Sequence, residues 1–208
     1  FFYWLLFILF KAPDLGDQDH FSMRGNIASY IDRLLLPGRF CCFEFGDNEG
    51  ILAVISATAT GLLGILTGEF LSSKLRPMKK VTYMVVAGIF LLFVGQAWNL
   101  VFPINKILWS SSFVCWVGGI SILLMALFYL VIDVWKQRKW TFFFVVIGMN
   151  PLTIYLANRI IRWNSATEFA FAGIADLFPE TWSPLIMSVG HIAIGWMFLY
   201  FLYKHKIF

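Results

Sequence analysis

Charge is scarce in this chain. Lys, Arg, Asp and Glu make up 13% of its 208 residues, against about 25% in an average soluble domain. With 60% of residues hydrophobic and only 23.9 kDa of mass, a water-soluble fold would have no interior large enough for the apolar surface. That excludes a soluble enzyme, a disordered tail and a nucleic-acid-binding domain. Cysteine is nearly absent. Cys41 and Cys42 are adjacent, which is poor geometry for a mutual disulfide, and Cys115 sits in an apolar run as a small core residue. No C-x-x-C, metal-type histidine pair, Gly-rich phosphate loop or nucleophile elbow occurs. No metal site is therefore expected. No N-x-[ST] sequon is present either; Asn164-Ser165-Ala166 fails the pattern, which points toward a bacterial source.

Long apolar runs are plentiful. Five are long enough to cross a bilayer: 51–73, 81–101, 110–134, 141–161 and 184–203. Backbone groups in lipid must pair internally and β-barrel alternation is absent, so these runs are expected to be helices. The opening FFYWLLFILF is fully apolar but too short to span. It reads as the second half of a membrane helix, and the chain as the C-terminal piece of a longer protein. The expected fold is all-α: a polytopic transmembrane bundle of five full helices plus one truncated N-terminal helix, forming one membrane domain over 1–208. Segment 11–50 is expected to be an external loop. Its acidic opening, 14–20, is followed by a short interfacial helix at 27–36 that caps the bundle and ends at Pro37-Gly38.

The connections sort by charge. Segment 74–80 holds Lys74, Arg76, Lys79 and Lys80; segment 135–140 holds Lys136, Arg138 and Lys139; the tail holds Lys204 and Lys206. Strict alternation puts all three on one side, and the positive-inside rule makes that side cytoplasmic, C-terminus included. Segments 11–50, 102–109 and 162–183 then face the exterior or a lumen.

Several constellations have two readings. Ala53, Ala57, Gly61, Gly64 and Gly68 form a small-residue stripe; it packs a neighbouring helix, or Gly64 and Gly68 leave room for a ligand. Asp47-Asn48-Glu49-Gly50 caps the following helix, or presents a carboxylate that binds an ammonium or accepts its proton. Asp32 and Arg33, adjacent on a helix, have separate partners or are a solvated pair. Asn105 and Lys106 lie in the second outer loop, where Lys106 pairs Asp47 or Glu49 or holds an anionic group. Trp109 reads as an interfacial aromatic, and Gln96 and Asn99 share a helix face. Pro151 should kink helix 141–161; Asn150 and Asn158, on one face, bond a neighbouring helix or line the path of a cofactor tail near mid-membrane. His191, inside the last helix, is a site candidate or a hydrogen-bonded structural residue.

Five ordered runs carry a family resemblance: YIDRLLL at 30–36, EGILAVI at 49–55 with LLGILTG at 62–68, PINKILWSSSFV at 103–114, IGMNPLTIYL at 147–156 and YKHKIF at 203–208. With them, the chain resembles the C-terminal half of the heparan-α-glucosaminide N-acetyltransferase family and its bacterial relatives. The resemblance implies a membrane N-acetyltransferase, usually a homodimer. It takes acetyl from acetyl-CoA on the cytoplasmic side and delivers it across the bilayer to the amino group of a terminal glucosamine. Partners so implied are the lipid bilayer, the amino-sugar acceptor and the N-terminal half of the same protein. The family's active histidine lies in that half, so no catalytic residue is assigned here. The family pattern D-P-E-G reads Asp47-Asn48-Glu49-Gly50 in this chain. Substrate-binding candidates are Asp47, Glu49, Asn105, Lys106, Asp32 and Arg33; cofactor-tunnel candidates are Asn150, Asn158, Gly64 and Gly68. A bacterial inner membrane is the favoured location and a lysosomal-type membrane the alternative. An amino-sugar permease and an inert fragment are the competing functions.

Overall fold

The computed structural model of this chain describes residues 1–14, 19–37, 40, 44–47 and 49–207. Cys41, Cys42, Gly38, Asn48 and part of the 14–20 stretch lie outside the described residues. The described fold is helical, with an isolated bridge between Lys11 and Asn26, and it divides into two compact units, Phe1–Lys136 and Gln137–Phe208. Among the described residues four helices are long and apolar enough to cross a membrane, or five if a bent pair counts as one span.

The first unit contains α1 (Phe2–Leu9), α2 (Ile27–Leu35), α3 (Ala53–Ser72), α4 (Pro77–Trp98) and α5 (Ser111–Tyr129). A π turn at Leu130–Val134 extends α5. Each boundary has a local cause. Asn26 caps α2 by accepting from the Ser29 N–H. Leu36 is extended before Pro37, as a residue preceding proline tends to be. Pro77 opens α4, and Ser110 caps α5 by accepting from the Phe113 N–H. At the other end of α3, Lys80 is buried (7% exposed) and its Nζ donates to the Leu71 carbonyl. A basic group at a helix C-terminus satisfies an orphan acceptor and complements the dipole.

Close packing in this unit lies between α4 and α5, not on the α3 stripe. A Cβ on Gly119 would stand 2.8 Å from the Gly88 carbonyl oxygen, and one on Gly95 would stand 2.8 Å from the Trp116 nitrogen. The two backbones therefore meet through glycine. Around Gly61, Gly64 and Gly68 nothing lies within 4 Å of a would-be Cβ. The expected packing of that stripe is not what the described residues show. α3 instead meets α5 through Leu63, which lies against Gly118, and meets the loop before α5 through the buried Ser56, whose Oγ donates to the Trp109 carbonyl.

In the second unit, α6 (Thr141–Met149) and α7 (Pro151–Ile160) form a pair bent by 69° at the proline expected to kink this run. Proline at the start of α7 removes a backbone donor and sterically ends α6. α8 (Trp163–Ala175) and α9 (Ser183–Lys204) follow. α8 was not expected in the 162–183 connection. It packs on α9 where the Phe171 ring would lie 2.7 Å from a Cβ at Gly190, and where the Trp163 ring lies 5.5 Å from that of Phe198. Phe143 stacks on Trp196, whose Nε1 donates to the Phe143 carbonyl, while Asn150 lies beside Ile207. These contacts advance in the same direction along both helices. The first half of the expected 141–161 span thus runs parallel to α9, and the chain changes direction by 69° at Pro151. Strict alternation assumed one span antiparallel to the last.

Candidate functional site

The polar end of the first unit is built on α2. Its apolar face joins Tyr3, Phe7, Ala28, Phe102 and Leu108 in a core that also holds Phe21, Met23 and Leu52. This core draws α1, α2 and the loop before α5 together, so segment 19–36 caps α1 and that loop.

Asp32 and Arg33 do have separate partners, and neither is a solvated surface charge. Asp32 is 1% exposed. Its carboxylate accepts from the Ile51 N–H at 2.9 Å and, weakly, from the Asp47 N–H at 3.4 Å. A Cβ on Gly50 would collide with that carboxylate. Glycine at 50 is thus required by close approach. Burial pushes the Asp32 carboxyl above the usual carboxylate range, the two backbone donors pull it down, Asp47 raises it and Arg33 lowers it. Arg33 grips Asp14 with two bonds of 2.8 Å, one from Nε and one from Nη2, and also donates to the carbonyls of Phe45 and Arg24. The planar guanidinium suits this bidentate task, which a lysine would not reproduce. The bond from Arg33 holds the Asp14 carboxyl below its usual range.

The acids of segment 47–50 do not cap α3, whose N-cap, Leu52, makes no side-chain bond. Asp47 Oδ1 accepts instead from the Glu49 N–H at 3.0 Å, a local Asx turn. Glu49 is exposed, and no ion pair joins Lys106, also exposed, to Asp47 or Glu49. Asn105 is taken up by its own loop: its Oδ1 accepts from the Ile107 N–H at 2.8 Å, and its N–H donates to Ser110 Oγ. Asn99 Oδ1 accepts from the Ile104 N–H, while Gln96 is exposed. Trp109 is more than an interfacial aromatic. Its φ is 49°, its Nε1 donates to Thr60 Oγ1 and its carbonyl accepts from Ser56 Oγ. A bulky residue in the left-handed region is uncommon and is held there by these contacts with α3. Tyr3 donates to the Leu108 carbonyl at 2.6 Å. Tyr3, Asn26 and Ser29 organise this end of the unit without having stood out in the sequence; the N-x-x-S spacing of a cap was the readable signal for the last two.

In the second unit Asn150 is 4% exposed and its Nδ2 donates to the Ile207 carbonyl. It bonds the C-terminal tail beside the end of α9. Asn158 is exposed and far from that bond, in the last turn of α7. It lines a cavity of about 410 Å³ with Arg162, Trp163, Asn164, Ser165 and His191. A neighbouring cavity of about 500 Å³ shares Asn164 and His191 and adds Thr167, Glu168 and Ser188. Among the described residues no group of three His, Cys, Asp or Glu side chains could hold a metal ion.

No family model matches the chain. Two curated proteins are similar over nearly all of it. The mouse (Mus musculus) heparan-alpha-glucosaminide N-acetyltransferase is 26% identical over 225 aligned residues, covering 94% of this chain and 31% of the relative. The human (Homo sapiens) protein of the same name is 26% identical over 225, covering 93% and 31%. The chain thus spans about a third of the length of the curated relatives it matches.

Proposed function

We propose that this distant relative of heparan-alpha-glucosaminide N-acetyltransferase forms part of a membrane acyltransferase that moves acetyl from acetyl-CoA to the amino group of a glucosamine-type sugar across the bilayer. The observation that carries the reading is likeness to two N-acetyltransferases along 94% and 93% of the chain, on a fold with four or five candidate membrane spans. Acyl transfer to an amine needs the amine neutral, a base for its proton and donors for the oxyanion. In this proposal the chain supplies scaffold and pocket wall, and no catalytic residue is assigned to it. Glu49 and Lys106 stand at the acceptor-side rim with Asp47. Asp32, Arg33 and Asn105 act as positioning residues that fix the loops bearing them. Lys74, Arg76 and Lys79, exposed and without ion pairs among the described residues, suit the donor's phosphates by charge. Lys80 is committed to Leu71. Lys204 and Lys206 favour a cytoplasmic C-terminus, in a bacterial inner membrane or a lysosomal-type one.

An amino-sugar permease is the second reading, favoured by the broken pair at Asn150-Pro151, since interrupted helices also build transport sites. Proteoliposomes holding the full-length protein separate the two. Acetyl label appearing on a glucosamine acceptor supports the enzyme; glucosamine uptake without label supports the carrier.

A further inference from the structure

α3 and α4 are joined by residues 73–76 alone, yet each packs on α5 rather than on the other. The wedge left between them is a groove of about 370 Å³. Leu66 and Phe70 form one wall, Tyr83, Ala87 and Phe90 the other, and Ile122 of α5 joins the lining. The only other polar group there, Thr67 Oγ1, already donates to the Leu63 carbonyl. The loop end of the groove is marked by the Phe70 and Tyr83 rings, edge to face at 6.2 Å. Lys79, Tyr83 and Ala87 follow one another at four-residue spacing on α4, so Lys79 stands over that end. Lys74, Arg76 and Lys79 are exposed and pair with no described acid. Glu69 is the one acid on α3 or α4. Lys80 takes no part, being committed to the Leu71 carbonyl.

We propose that this groove and its cationic rim bind one anionic phospholipid, the phosphate held among Lys74, Arg76 and Lys79 and an acyl chain laid between α3 and α4. Charge selects the class. A zwitterionic lipid brings its own ammonium to a basic rim, whereas an anionic one brings only charge of the opposite sign. A water-soluble phosphate gains the rim and nothing from the groove. The groove follows α4 from Tyr83 to Phe90, about 10 Å at 1.5 Å per residue, which seats the upper part of a chain. Tyr83 stands at the boundary. Its hydroxyl bonds no described residue and is free to donate to the headgroup, while its ring lines the chain. The inference does not rest on the acetyl-transfer reading, since a carrier or a scaffold with this groove would hold the same lipid. That reading sets the same cations against the donor's phosphates, so coenzyme A enters the test.

The test is native mass spectrometry of the full-length protein released from nanodiscs of equal phosphatidylglycerol and phosphatidylcholine. Wild type should retain phosphatidylglycerol about tenfold over phosphatidylcholine, the order that two nearby cations supply. Replacing Lys74, Arg76 and Lys79 together by Gln should erase the preference. Ala87→Phe, at an exposed position of α4, fills the groove and leaves every charge in place; it should lose the lipid at unchanged Tm. Lys204→Gln with Lys206→Gln removes as much charge at the other end of the sequence and should keep the preference. Coenzyme A, which has phosphates but no acyl chain, should bind Ala87→Phe as it binds wild type. Equal retention of the two lipids by wild type overturns the site. So does a preference that survives Ala87→Phe, or one lost as fully with Lys204 and Lys206 as with the rim. Loss of coenzyme A rather than lipid on filling the groove gives it to the donor and overturns the proposal as well.

Discussion

Removing the carboxylate of Asp32 should release the segment that leads into α3, and the Gly50 contact lets this be checked without reliance on a single mutant. Asp32→Ala leaves the Ile51 N–H, bonded at 2.9 Å, without its acceptor, and also loses the weak 3.4 Å bond from Asp47. A hydrogen bond to a charged group is worth about 1.5–3 kcal/mol, and the long one adds little, so a loss of about 2 kcal/mol is expected. Gly50→Ala drives a Cβ into the same carboxylate, and overpacking of this kind costs about 1–3 kcal/mol. The double variant should lose less than the sum by at least about 1 kcal/mol, because Asp32→Ala vacates the space that the new methyl needs. Thermal unfolding of the purified full-length protein in detergent, followed alongside protease cleavage within 44–50, reads all four states. Additivity to within about 0.5 kcal/mol would show that Gly50 and Asp32 do not share that space.

Other substitutions probe separate parts of the account. Gly119→Ala should destabilise by about 1–3 kcal/mol because its Cβ meets the Gly88 carbonyl, whereas Gly64→Ala, in open space inside α3, should stabilise by about 0.5–1 kcal/mol through helix propensity; equal effects at the two sites would refute the packing. Arg33→Lys should expose segment 44–47 to protease, since one ammonium cannot replace the fork on Asp14 together with the bonds to Phe45 and Arg24; unchanged cleavage would contradict it. Two carboxylates make opposite pH predictions. Asp32 titrates above its ordinary 3.8, so the native state holds that proton more tightly and its contribution to stability falls as pH rises from 3.8 through the raised value. Asp32→Asn should therefore gain on wild type as pH rises above 3.8. Asp14 titrates below 3.8, so its contribution is present above 3.8 and is lost as pH falls through the lowered value. Asp14→Asn should flatten the acid limb alone. Melting curves at several pH values check both.

Hydropathy made most of the membrane helices legible because apolar length is a local property. The runs 51–73 and 184–203 match α3 and α9 to within about two residues, the usual uncertainty of a helix end. What depends on partners was not legible. G-x-x-x-G at 64 and 68 advertises close packing, yet the glycines in contact are Gly88, Gly95 and Gly119, set by how α4 and α5 face each other. The break at Pro151 could be expected but not its 69° bend or the bond from Asn150 to Ile207. α8 was hidden because Trp163–Ala175 is too short to register as a span. At the candidate site, the separate duties of Asp32 and Arg33 follow from helical geometry, and the structure gives them those duties. The isolation of Glu49 and Lys106 from each other, and the gathering of Arg162, Glu168 and His191, depend on tertiary folding and could be read only from coordinates.

The most direct test of the central claim follows labelled acetyl from external acetyl-CoA to glucosamine trapped inside proteoliposomes bearing the full-length protein. Label recovered on the enclosed sugar, reduced by Glu49→Gln or Lys106→Ala, is the predicted result. Unlabelled sugar in vesicles whose protein is folded and correctly inserted would contradict it.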